Sequence, residues 1–248
     1  MRPPCRLAAG LVPIALLWPA CSRRARPSSP EEVLGALRGA CTERDTGAIL
    51  GLVDREYSDD LGGVGRLEDD LRQLFTVYGS LSLRVADLRS EGERLTGQLA
   101  VEGRAFRFEG PLAIQLVSRP MGHLIRSGLL CDLRGVVKTL RERRIALEQG
   151  DAERLGRAIS MSYRGRGGGF AELMDRVRVD LAAVQMTALI IRDVDIRVAQ
   201  DRATARQSYL LIHRAGGDGG TRSVEKRARE RLELAKEGAR WRIVAGLG

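Results

Sequence analysis

Tyr57, Asp59 and Asp60 lie within four positions of one another, and His123 stands in the apolar stretch Met-Gly-His-Leu-Ile. A tyrosine, a carboxylate and an imidazole that share one cavity could carry out general acid–base chemistry, because an imidazole beside a carboxylate titrates near neutral pH. The plainer reading is an acidic turn and a single histidine satisfied within the core. A second tyrosine, Tyr163, is followed by Arg-Gly-Arg-Gly-Gly-Gly, with no acid, so such chemistry would be confined to the first half. Arg143 and Arg144 fall where an apolar residue would continue a helical stripe. They could bind an anion, or lay their stems along apolar surface with the charge in water.

Other signatures are missing. The glycines at 165–169 and 216–220 lack the Lys-Ser/Thr ending of a phosphate loop and the strand–helix setting of a dinucleotide site, and they read as loops. His123 and His213 have no Cys or acid at ligand spacing, so no metal is expected. No Gly-x-Ser-x-Gly elbow occurs, and nothing calls for a cofactor.

The first 21 residues are an address rather than part of the fold. Arg2 and Arg6 precede an uncharged run from Leu7 to Ala20 that is too short to span a bilayer comfortably. A basic start, an apolar middle and a small residue before Cys21 describe a secretory signal. Its end, with Leu17, Ala20 and Cys21, resembles a bacterial lipoprotein lipobox, although Leu17 stands four before the cysteine and the family pattern has it three before. The resemblance implies a lipid on Cys21, and Ser22 behind it implies the outer membrane, facing the periplasm. Cleavage without lipidation and an uncleaved anchor are the alternatives. Residues 22–29, polar, basic and rich in Pro and Ser, form a short linker.

The elements that must position these residues occur twice. Moving by 106 positions aligns Arg38 with Arg144, Asp45 with Asp151, Tyr57 with Tyr163 and Gly62-Gly63 with Gly168-Gly169. At 108 positions Asp87, Arg89, Arg94 and Thr96 match Asp195, Arg197, Arg202 and Thr204, and at 118 His123–Leu129 parallels Trp241–Leu247. Loop insertions in the second copy would make the offset grow in this way. Each copy opens with helices. Ser29-Pro30-Glu31-Glu32 caps the first, Asp45 opens a second, and Leu67, Leu71, Leu74, Phe75 and Tyr78 mark one face of a third. Strands follow over 80–89, 94–101, 106–117 and 121–130, separated by charged or Gly-containing turns.

Helices first and strands last predict an α+β class. We expect two tandem cone-shaped domains, residues 30–131 and 132–248, each with N-terminal helices packed into a curved antiparallel sheet over its own interior. The Asp-opened short helix, the tyrosine after it and the closing Gly-Ala-Arg-Trp-Arg-Ile-Val strand resemble the nuclear-transport-factor-two-like, or SnoaL-like and cystatin-like, fold. That fold hosts enzymes, ligand binders and interaction modules, so the resemblance implies architecture more than activity. In the repeat His123 takes the place of Trp241, in phase with Ile125, and is therefore expected to face inward.

Charge and cysteine bound the partners. Residues 30–131 carry 12 Arg against 16 acids, whereas residues 132–248 carry 24 basic residues against 16 acids. An acidic first half and a basic second half could face each other or meet different partners. Nucleic acid is not expected outside the cytosol, and no basic strand interleaved with aromatics supports it. Once Cys5 leaves with the signal and Cys21 is acylated, Cys41 and Cys131 remain. They could form a disulfide in an oxidising compartment or be buried small hydrophobes. The expected role is a non-catalytic envelope lipoprotein that binds or scaffolds, anchored to the membrane by its lipid, with an envelope protein or polyanion as partner. The alternatives are an enzyme or carrier using the first pocket, and polyanion binding by the basic half.

Overall fold

The computed structural model describes residues 27–183, 185–215 and 222–247. The signal segment, Cys21 and the glycines at 216–220 lie outside the described residues. Helix α1, Pro30–Glu43, starts where the capping residues place it. Ser29 Oγ accepts from the Glu32 N–H at 3.2 Å, Pro30 fills the first turn, and Arg44 ends the helix in the left-handed region. Asp45 caps α2, Thr46–Gly51, by accepting from the Ala48 N–H at 2.8 Å. A small hairpin, β1 Ser58–Asp59 and β2 Gly62–Gly63, leads into α3, Val64–Tyr78, whose stripe Leu67, Leu71, Leu74, Phe75 and Tyr78 is buried. Strands β3 Ser82–Glu91, β4 Arg94–Gly103, β5 Phe106–Arg119 and β6 Gly122–Ser127 follow as an antiparallel meander. Along β5 the alternation of buried and exposed residues places Phe106, Phe108, Leu112, Ile114 and Leu116 inward.

The second half repeats this order: α4 Cys131–Gln149, α5 Ala152–Ala158, β7 Arg164–Gly165, β8 Gly168–Gly169 and α6 Phe170–Ala183, then β9 Gln185–Ala199, β10 Arg202–Ala215, β11 Arg222–Glu237 and β12 Arg240–Ala245. Equivalent positions do equivalent work. Asp151 caps α5 by accepting from the Arg154 N–H at 2.8 Å, as Asp45 caps α2. The last strand of each half meets the residues after the short helix through one parallel bridge, Val53 to Ile125 and Ile159 to Ile243.

The class is α+β, with helices on a curved antiparallel sheet, but the two halves do not fold over separate interiors. One sheet runs through both in the order β12-β11-β10-β9-β5-β4-β3, and β5 joins β9 in parallel by pairing Phe106–Glu109 with Val194–Arg197. Strand β6 covers only the far end of β5, from Gln115 to Arg119, and the freed edge near Phe106 accepts β9. The buried residues form a single cluster from Val33 to Ile243. This corrects the expectation of independent units. Pairing an edge with a neighbour removes unpaired backbone groups that each half would otherwise expose. Among the described residues no helix is long and apolar enough to cross a membrane.

Candidate functional site

The chemistry-bearing residues of the first half are held where the β1–β2 hairpin and α3 meet the start of α4. Asp59 is turned by its own hairpin: its Oδ1 accepts from the N–H groups of Leu61 at 2.9 Å and Gly62 at 3.2 Å. Its Oδ2 accepts from the Tyr57 hydroxyl in a short contact. The residue that completes the group is Arg134, one turn into α4, whose side chain is fully buried. Its Nη1 donates to Asp59 Oδ2 at 2.7 Å, to the Tyr57 hydroxyl at 3.2 Å and to the Leu129 carbonyl at 3.2 Å. Its Nε and Nη2 donate to Asp70 Oδ2 at 3.1 and 2.9 Å. Arg66 lies 3.2 Å from the other Asp70 oxygen.

The electrostatics follow from that closure. Burial opposes the charge on Arg134, but Tyr57, Asp59 and Asp70 around it more than restore it, so its pKa is raised. Burial, and then the bond to Asp59, push the Tyr57 phenol far above its ordinary range. A tyrosine that cannot ionise and a carboxylate bound to a guanidinium form a poor acid–base pair. Beside them, between α3, α4 and β9–β10, lies a cavity of about 60 Å³ that Arg144, Gln73 and Tyr78 help to line. That space suits a few waters rather than a substrate.

In the second half the matching tyrosine closes on the chain itself. The Tyr163 hydroxyl donates to the Leu247 carbonyl at 2.6 Å and accepts from the Leu247 N–H at 3.1 Å. Where the first half has Asp59 and Asp70, this half has Gly165 and Arg176. Its interior instead holds Arg143, which donates bidentately to Glu230 at 2.6 and 2.8 Å, with Gln207 donating to the same carboxylate.

The residues marked in the sequence are thus separated rather than assembled. Tyr57 and Asp59 come together, but His123 does not join them. It is half-buried on β6, with Nδ1 3.4 Å from Ser118 Oγ, while Leu124 and Ile125 take the core positions. The equivalent Trp241 is buried, whereas His123 is only half-buried. Arg143 is neutralised by Glu230 and is not open to an anion. Arg144 is half-buried, 3.9 Å from Glu148. Cys41 and Cys131 are both free thiols, so of the two alternatives the structure has them as unpaired side chains, buried and half-buried. Burial pushes them up to about 12 and about 11, which keeps them unreactive. Among the described residues no three His, Cys, Asp or Glu side chains converge on a metal position.

Arg134 and Glu230 were not marked in the sequence. A signal existed for the first: acids at 59 and 70 without counterparts in the second copy require a cation, and α4 begins just beyond the last strand of that half. One arginine among 38 carries no mark of its own.

Residues 152–245 match the SnoaL-like domain family. Among solved structures, the chain is similar to a protein of unknown function from Mycobacterium tuberculosis at 15% identity, covering 46% of this chain and 69% of that one, with a TM-score of 0.40. It is also similar to an NTF2-like protein with a cystatin-like fold from Novosphingobium aromaticivorans at 22% identity, covering 47% and 80%, with a TM-score of 0.38. A protein of unknown function with a cystatin-like fold from Nostoc punctiforme is similar at 13% identity, covering 48% and 90%, with a TM-score of 0.38. No curated protein matches the chain.

Proposed function

We propose that this chain is a non-catalytic binding or scaffolding protein of the bacterial envelope, made of two tandem SnoaL-like units and anchored by lipid on Cys21 at the outer membrane. The observation that carries this reading is Arg134. The first helix of the second unit fills the opening of the first and consumes Tyr57, Asp59 and Asp70, the groups an enzyme there would use. Function then rests on surfaces. In a strain lacking the gene, chains with Tyr57→Phe or His123→Gln should complement the envelope defect that the deletion causes as well as the wild type does. Failure of the His123→Gln chain, with normal levels of folded protein, would point back to catalysis. Mass spectrometry of the N-terminus should find a diacylglyceryl thioether on Cys21, and an unmodified or differently cleaved N-terminus would remove the anchor from the reading.

A second reading, polyanion binding, has its own support. Arg227, Arg229 and Arg231 alternate along β11 and therefore face one side, and Arg206 on β10 pairs directly with Arg231. All four are exposed. Heparin, as a polyanionic probe, should bind there with an affinity that falls steeply as salt rises, because exposed charges are screened. Replacing Arg227, Arg229 and Arg231 together with Gln should abolish the salt-dependent part.

A further inference from the structure

Where α4, α5 and the β11–β12 turn meet, a pocket of about 210 Å³ gathers four cations, Lys138, Arg154, Arg157 and Arg240, around the edge of Trp241. The one carboxylate in its wall, Glu142, is engaged by Arg154 at 2.8 Å. Among the described residues Lys138, Arg157 and Arg240 have no salt-bridge partner. Trp241 is 3% exposed, and its Nε1 N–H has no hydrogen-bond acceptor. A buried donor left unmade costs stability unless something accepts from it. Gly135 keeps that edge in place: a Cβ there would stand 2.6 Å from Trp241 Cδ1 and 3.2 Å from Nε1. Leu61, from the hairpin of the first half, supplies part of the wall.

The internal repeat provides a control. Lys138, Arg154, Arg157, Arg240 and Trp241 correspond to Glu32, Ala48, Gly51, Gly122 and His123 in the first half. The same corner therefore carries an acid and small residues in one copy and four cations in the other. A general excess of arginine would not spare one copy so completely, nor would it place a lysine against a glutamate.

We propose that this pocket binds a phosphate-class oxyanion, with the guanidinium groups of Arg157 and Arg240 donating to its oxygens and Lys138 supplying charge. Planar guanidinium donors match phosphate oxygens well, and hydrogen bonds between ions are the stronger kind. The pKa of Lys138 is held down, first by burial and then by Arg66 and Arg240, with Asp70 and Glu142 opposing them, and a bound anion would offset the repulsion between the cations. The chemistry is shared by a free phosphomonoester and by the phosphate of a lipid head group. The inference uses neither the lipid on Cys21 nor the arginine face of β10–β11, so it can fail while those readings stand.

Calorimetric titration of the full chain with inorganic phosphate, glycerol phosphate and phosphatidylglycerol vesicles tests it, with phosphatidylcholine vesicles as the blank. Saturable binding is expected, weakened about tenfold or more by Lys138→Gln and by Arg240→Gln, whose exposed or half-buried side chains can change without loss of the fold. Arg84→Gln, on β3 of the first half and in neither proposed binding face, should leave it unchanged. Losses seen with glycerol phosphate assign a free ligand, and losses seen only with phosphatidylglycerol assign a head group. The proposal is overturned if no probe saturates, or if Arg84→Gln weakens binding as much as Arg240→Gln.

Discussion

Arg134 is the residue on which the first half depends most. Removing one partner of a buried ion pair leaves the other charge uncompensated, which costs about 3–5 kcal/mol. Arg134→Ala should lower stability by that order in urea denaturation, and adding Asp70→Asn should recover part of it, since one stranded charge is then removed. Asp54 makes a second test. Its carboxyl is held below the ordinary range, first by the Glu56 N–H at 3.0 Å and then by Arg119 at 2.8 Å. A pKa lowered on folding contributes stability that is present above the unfolded value of about 4 and is lost as pH falls through the folded value. Asp54→Asn should therefore be less stable than wild type at neutral pH and lose less on acidification, which thermal melts across that range would show. Tyr57 and Asp59 could be picked out from residue type and spacing. Their partner could not, because its meaning comes from a contact across 75 positions.

At the scale of elements, short-range chemistry recurs wherever the repeat does. Each half ends its last strand with a glycine at positive φ, Gly128 at 81° and Gly246 at 97°. A Cβ on either would stand 2.1 Å from a carbonyl oxygen, of Ala113 or of Arg231. Gly128→Ala and Gly246→Ala should each cost more than about 1 kcal/mol, read as a fall in melting temperature. The helix starts at Ser29, Asp45 and Asp151 and the stripe of α3 are legible in sequence because caps and periodicity act within a few residues. The partial exposure of His123 was not legible. Equivalence with Trp241 gives a strand position, but the partner packed against that position decides whether the side chain is buried.

For the whole molecule, a shared sheet and a single buried cluster predict shared unfolding. Far-ultraviolet circular dichroism and tryptophan emission should follow one coincident transition in denaturant, and Arg134→Ala should shift both together. Two separated transitions would show that the halves are stable apart. The charge asymmetry has a partly internal outlet: Asp70 meets Arg134, and Asp60 lies 3.4 Å from Lys236, each pair joining the acidic half to the basic one. The arginines of β11 and the cations around Trp241 remain outside that exchange.

By itself the sequence determined the α+β class, the doubled order of elements and most of their limits, because those follow from alternation, helical spacing and turn chemistry read locally. Tertiary structure alone decided that the copies fuse. Four residues of β5 find four of β9 across some ninety positions, and an arginine of the second half is drawn into the first. An open strand edge and a pair of buried acids each demand a partner, but neither demand says where in the chain that partner will be found.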